Sequence, residues 1–138
     1  MTKAVLDASA IIKWFVSEDE TKECKKLRDM HLKGRLKLYT CRFTLIELSN
    51  ALRFAAGITA EDIINAVKVV EALDLALIDE HEVLDEAIKI AFKYEITVHD
   101  AIYVALSRKL NSRLVTYNEE LLRKFPDEAV RASKLLKQ

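Results

Sequence analysis

Lys3-Ala4-Val5-Leu6-Asp7-Ala8-Ser9-Ala10-Ile11-Ile12-Lys13-Trp14-Phe15 is the stretch from which the rest of the chain can be read. Lys3 to Leu6 is a short apolar run of strand length, Asp7 stops it, and Ala8 to Phe15 has apolar residues at helical spacing. A strand that is apolar at consecutive positions must be covered on both faces, as strands of parallel sheets are. Asp7 then sits at a strand's carboxyl end.

The same alternation recurs outward. Ser17-Glu18-Asp19-Glu20 offers a cap and first-turn acids for a helix to about His31, with Leu27 and Met30 on its apolar side and Gly34 as its stop. Leu36 to Thr40 reads as a strand, and Thr44 to Ala56 as a helix with a stripe of Leu45, Leu48, Leu52 and Ala55, ended by Gly57. Thr59-Ala60-Glu61-Asp62 looks like a capped first turn of a helix to about Leu73, followed by a strand at Leu75 to Ile78. Helices are expected at Glu80 to Tyr94, Asp100 to Leu110 (Ile102, Ala105 and Leu106 inward) and Glu119 to Lys124. A strand at Arg113 to Thr116 and an edge strand near Ala129 to Ala132, beyond Pro126, complete the pattern. Strands alternating with helices of this length imply an α/β fold, a central parallel sheet in a single three-layer α/β/α domain over residues 1–138.

Composition agrees. The 138 residues are 51% hydrophobic and 32% charged, which suits one folded domain, and two Gly with one Pro disfavour an all-β chain rich in turns. The balance of 22 Lys+Arg against 22 Asp+Glu argues against indiscriminate coating of nucleic acid. That zero is a sum over unlike regions, however. Residues 22 to 42 hold eight Lys/Arg and two Asp/Glu, and residues 107 to 138 hold eight and four. Residues 71 to 86 hold seven acids and no Lys or Arg. Basic flanks of this kind can guide a phosphate backbone toward an acidic crevice. Cys24 and Cys41 are isolated and read as buried filler. No charged-then-apolar leader and no apolar run of about 18 residues occur, so the expectation is a cytoplasmic protein with no membrane association.

In open parallel sheets the functional crevice lies beyond the strands' carboxyl ends. Asp7 ends the first strand, and Asn118 follows Leu114-Val115-Thr116, so both are placed there. Asp100 begins a helix, and Glu47 stands charged among apolar neighbours in Thr44-Leu45-Ile46-Glu47-Leu48. Read singly, Asp7 is a strand-end turn former, Asp100 an N-cap and Glu47 a solvated helix residue. Three carboxylates on one crevice repel, and must take up protons or a cation. Oxygen ligands of this kind suit Mg²⁺ or Mn²⁺. His31, His81 and His99 lack zinc-motif spacing and read as solvated or supporting groups. With glycine only at 34 and 57, no phosphate-cradling Gly-rich loop is possible, and Ser9 is left as a cap or a crevice hydroxyl.

The order Asp7, Glu47, Asp100, Asn118, set in VLDASAIIKWF, TLIELSNAL, TVHDAIYVALS and LVTYNEEL, resembles the signature segments of PIN-domain proteins, especially the small VapC-type toxins of toxin–antitoxin pairs. The resemblance spans nearly the whole chain. It implies a metal-dependent endoribonuclease with Asp7, Glu47 and Asp100 as acidic centre and metal ligands, and Ser9 as a nearby hydroxyl. It also implies Mg²⁺ (or Mn²⁺) as cofactor, an RNA substrate, a homodimer, and a small antitoxin whose tail blocks the crevice. Asn118 stands where many relatives carry a fourth acid; its neutral carbonyl oxygen would hold a second metal less tightly, and Glu119 could compensate through water. The alternatives are a catalytically silent PIN-like binding module and a structure-specific DNase. A dehalogenase-type phosphohydrolase would need a second Asp where Ser9 stands, and a receiver domain would need an acidic pair near the first strand.

Overall fold

Ala4, Val5 and Leu6 are all buried, but they feed different cores. Ala4 and Leu6 join one apolar cluster and Val5 the other, the two-residue period of a strand covered on both sides. In the computed structural model, which describes residues 2–138, this strand is β1 (Lys3–Leu6) at the centre of a five-stranded parallel sheet. The others are β2 (Lys37–Cys41), β3 (Ala76–Ile78), β4 (Arg113–Val115) and β5 (Ala129–Val130), in the order β3-β2-β1-β4-β5. Leu6 lies beside Val115, and Val5 beside both Tyr39 and Leu114. The chain leaves β1 toward β2 on one side and later returns to β4 on the other. The switch in winding direction therefore falls at β1, and the region beyond its carboxyl end is where open parallel sheets place their functional groups.

Helices α1 (Ala8–Ile11), α2 (Thr21–Leu32), α3 (Thr44–Leu52), α4 (Ala60–Ala72) and α8 (Ala132–Leu135) contribute to the cluster that holds Ala4 and Leu6. Helices α5 (Leu84–Tyr94), α6 (Val98–Lys109) and α7 (Glu119–Lys124) cover the opposite face. The α/β/α expectation holds. Cys24 and Cys41 belong to opposite clusters, so they do not meet; burial pushes their thiols up to about 11 and about 12, which keeps them neutral filler. No described helix is long and apolar enough to cross a membrane.

Several boundaries differ from those read in the sequence, each for a local reason. The first helix tightens into a 3-10 turn at Ile12–Trp14, where the Trp14 Nε1–H donates to the Cys24 carbonyl at 2.9 Å. Ser17 is not the α2 cap: Glu20 occupies the cap position in the left-handed region (φ 63°), its carboxylate turned to Tyr117 and Ser133. At the other end Gly34 (φ 74°) closes α2 as expected, with its own N–H bonded to the His31 carbonyl and that of Arg35 to the Met30 carbonyl. β2 is one residue later than read, β3 starts at Ala76 and β4 stops at Val115. α3 ends at Leu52 rather than Ala56, and residues 80–83 form a 3-10 turn before α5. Thr59 and Asp62 form the full reciprocal capping box.

Helix α6 begins at Val98, two residues before Asp100, because Thr97 caps it. It is buried continuously from Ala101 to Ser107, since α5 covers the side that an amphipathic reading would leave wet. The edge strand is only Ala129–Val130, and α8 follows it where no helix was expected. His31 is a structural bridge: Nδ1 accepts from the Leu38 N–H at 3.1 Å, and Nε2 donates to the Leu73 carbonyl at 2.8 Å.

Candidate active site

Asp7 is both the end of β1 and the N-cap of α1. Its backbone is extended, and Oδ1 accepts from the Ala10 N–H at 3.2 Å and the Ser9 hydroxyl at 2.5 Å. From just past the end of the neighbouring strand β4, the Thr116 hydroxyl donates to Oδ2 at 2.5 Å. Ser9 Oγ is itself held by the Tyr117 N–H at 2.9 Å, and Thr116 Oγ1 by the Asn118 N–H at 3.1 Å. Asp7 is only 6% exposed. Burial raises its pKa to about 6; bonds from Ser9, Thr116 and Ala10 oppose the rise, and the charge on Glu47 adds to it.

Glu47 projects from α3, half-buried, and Oε1 accepts from the Tyr103 hydroxyl at 2.5 Å. Behind that bond runs a buried hydroxyl chain. Thr44 Oγ1 lies 2.8 Å from the Tyr103 hydroxyl, and the Thr40 hydroxyl lies 2.6 Å from the Leu6 carbonyl and 3.0 Å from Thr44. With the phenol proton on Glu47, the Thr44 proton points to Tyr103. One polar chain thus joins the backbone before Asp7 to Glu47. Burial raises the Glu47 carboxyl, Tyr103 and His99 lower it, and Asp100 raises it again. Burial likewise holds the Tyr103 phenol far above its ordinary range, so it acts as a fixed donor.

Asp100 stands in the first turn of α6, where Thr97, not Asp100, is the cap. Burial raises its pKa, Thr97 and Asn118 lower it, and Glu120 raises it. Asn118 caps α7: Oδ1 accepts from the Glu120 and Leu121 N–H groups at 2.9 and 3.2 Å, and Nδ2 donates to Asp100 Oδ2 at 3.3 Å. The two backbone donors fix the amide's orientation, so the oxygen read as a candidate ligand is engaged by the helix. Glu119 is exposed and pairs with Arg131 at 2.6 Å. The neighbouring acid that acts on Asp100 is Glu120.

Asp7, Glu47 and Asp100 form a series in which each carboxylate raises the next. Among the described residues, no three His, Cys, Asp or Glu side chains are close enough to grip one ion as they stand. Each acid keeps its own hydroxyl or amide donor instead. The donor set nevertheless fits a hard divalent cation: it is all oxygen, and burial has raised all three acids. Sequence reasoning missed Thr116, Tyr103, Thr44 and Glu120. Thr116 had a visible signal as a polar residue closing a strand beside Asp7's, and Tyr103 stands one turn after Asp100, whereas Glu120 looks like any first-turn acid.

Along most of its length the chain is similar to known proteins. The PIN domain family model matches residues 4–127. Ribonuclease VapC3 of Pyrobaculum aerophilum is 33% identical over 131 residues, 90% of this chain and 95% of that protein. The crystal structure of PAE2754 from Pyrobaculum aerophilum superposes with a TM-score of 0.73 at 26% identity, over 99% of this chain and 93% of that one. A chain of a toxin–antitoxin complex from Klebsiella pneumoniae shares the fold, with a TM-score of 0.67 at 17% identity over 94% and 97% of the two chains. The chain belongs to the PIN-domain family.

Proposed function

We propose that residues 1–138 act as one divalent-metal-dependent endoribonuclease, the toxin of a toxin–antitoxin pair. The carrying observation is the buried Asp7 at the carboxyl end of the central strand, where burial raises its carboxyl and those of Glu47 and Asp100 together. Likeness to Ribonuclease VapC3 over nearly the full length of both chains supports RNA as the substrate.

Asp7 and Asp100 would be the primary ligands of Mg²⁺ or Mn²⁺, and Glu47 would be a further ligand or would orient the attacking water. When bound, such an ion activates water near neutral pH and offsets charge developing on the phosphate. The chain's own groups hold the acids in place. Ser9 and Thr116 each donate to one oxygen of Asp7, Tyr103 fixes Oε1 of Glu47, and Asn118 donates to Asp100. Four donors on three carboxyls keep them ionisable despite burial.

Regulation follows from the same charge. A small antitoxin that lays a basic side chain against Asp7 and Asp100 replaces the cation and silences the site. The active form is a cytoplasmic homodimer. The surface groove of α2 sets Lys22, Lys25, Lys26 and Arg28 among Glu18, Asp19, Glu20, Glu23 and Asp29, four bases against five acids, so any pull on RNA comes from the individual bases and is modest and salt-sensitive. Sequencing RNA ends after induced expression tests the reading. Recurrent new ends with the native chain and none with Asp7→Asn are expected, and identical end profiles would refute it.

A further inference from the structure

Three aromatic rings step outward from the acids. Tyr103, buried, holds Glu47 through its hydroxyl. Phe43, half-buried just before α3, meets the Tyr103 ring at 5.4 Å and 35°. His99, exposed in the first turn of α6 and next in chain to Asp100, meets Phe43 at 5.8 Å and 49°. His99 lies close enough to Glu47 and Asp100 for its charge to act on both. The outer end of this row therefore borders the carboxylates and faces water. Ile46, next to Glu47 in α3, is 73% exposed. Arg42 precedes Phe43 at the carboxyl end of β2, is exposed, and makes no ion pair among the described residues.

An exposed ring beside charged acids adds little to the core. It offers a flat π surface within reach of a strand whose phosphate lies over those acids. Base stacking on aromatic rings tolerates any base and requires one that is out of a duplex. A neighbouring guanidinium suits the phosphate that a crevice of acids would otherwise repel, and it can also stack on a base. We infer that His99 and Phe43, with Arg42 next to Phe43 in the chain, seat one unpaired nucleobase of the RNA strand next to Glu47 and Asp100. This rests on the ribonuclease reading.

The test is binding of a short single-stranded RNA by fluorescence anisotropy in Mn²⁺, with each protein carrying Asp7→Asn so that it does not cut. Intact RNA is compared with a series in which each nucleotide in turn is abasic. One abasic position is expected to weaken binding about tenfold, the size of a lost base–aromatic stack. His99→Ala should weaken intact RNA by a similar factor and leave that abasic RNA unchanged, while His99→Phe restores binding. Equal binding by all three proteins with no sensitive abasic position overturns the seat. Loss with His99→Phe as large as with His99→Ala overturns it too, since the imidazole rather than the ring face is then required. Parallel cleavage assays with Asp7 intact separate the two claims: RNA that is cut without any His99 or abasic effect removes the seat alone, whereas RNA neither bound nor cut removes both.

Discussion

Replacing Asp7 by Asn should make the protein more stable while abolishing its activity, and the gain should depend on pH in a defined way. The folded carboxyl titrates at about 6 against 3.8 for the free group. The folded state thus holds its proton more tightly, and the protonated group's contribution is complete below pH 3.8 and lost as pH rises to about 6. At about 1.36 kcal/mol per unit, the native protein forfeits roughly 3 kcal/mol above pH 6. Asn keeps a carbonyl for the Ala10 and Ser9 donors but turns an amide toward the Thr116 hydroxyl, at a cost of about 1 kcal/mol. The net gain is about 2 kcal/mol at pH 8, worth roughly 5–8 °C in Tm for a chain of this size. The assay is thermal unfolding of both proteins in EDTA from pH 4 to 8. Asp7→Asn should be the weaker protein at pH 4, cross the native one near about pH 4.5, and lead by a constant margin above about pH 6.5. A difference that does not change with pH, or a native protein that stays ahead at pH 8, refutes the claim that Asp7 is held as a strained anion. Mn²⁺ should narrow the gap by raising the native Tm more than that of the variant.

The other residues around the acids give separate expectations. Tyr103→Phe keeps the ring against Phe43 but removes the donor to Glu47; stability should fall by about 1–2 kcal/mol in chemical denaturation. The same variant should need more Mn²⁺ for half-maximal cleavage at an unchanged RNA affinity, and an unchanged Mn²⁺ requirement would exclude its role at Glu47. Asn118→Asp preserves the α7 cap but sets a carboxylate against Asp100 where an amide now donates. It should therefore be less stable in EDTA by about 1 kcal/mol and bind Mn²⁺ more tightly by calorimetry; weaker binding would count against its place beside the metal. Glu20→Ala removes the acceptor of the Tyr117 hydroxyl and of both Ser133 donors, so amide exchange in α8 should accelerate while that in α6 stays slow.

The parts of this protein that were legible in its sequence are those set by near neighbours in the chain. The run Ala4-Val5-Leu6 ended by Asp7 is a strand because every residue in it is apolar, and it is central for the same reason. Thr59 with Asp62, and Gly34 after α2, are capping signals whose partners lie within a few residues, and both appear as written. What escaped depends on contacts between distant segments. Glu20 leaves the helix-start pattern because its carboxylate is claimed by Tyr117 and Ser133 from the other end of the chain. Short helix α8 has too few residues to show a period and is held by that same contact. At the site, the order of the acids was legible, but their fixing was not. Tyr103 reads as one more aromatic of the core until α3 is laid beside α6, and Thr116 meets Asp7 only through the pairing of β1 with β4.

The central claim is that these carboxylates form a metal-dependent RNA-cutting centre. Its most direct test is cleavage of matched single-stranded RNA, tRNA and DNA by the purified protein and its Asp100→Asn variant, with Mg²⁺ or Mn²⁺ and with EDTA. RNA should be cut by the native protein only when the cation is present, with DNA left intact and no cutting by the variant. Cleavage that persists in EDTA, or that survives Asp100→Asn, contradicts that claim.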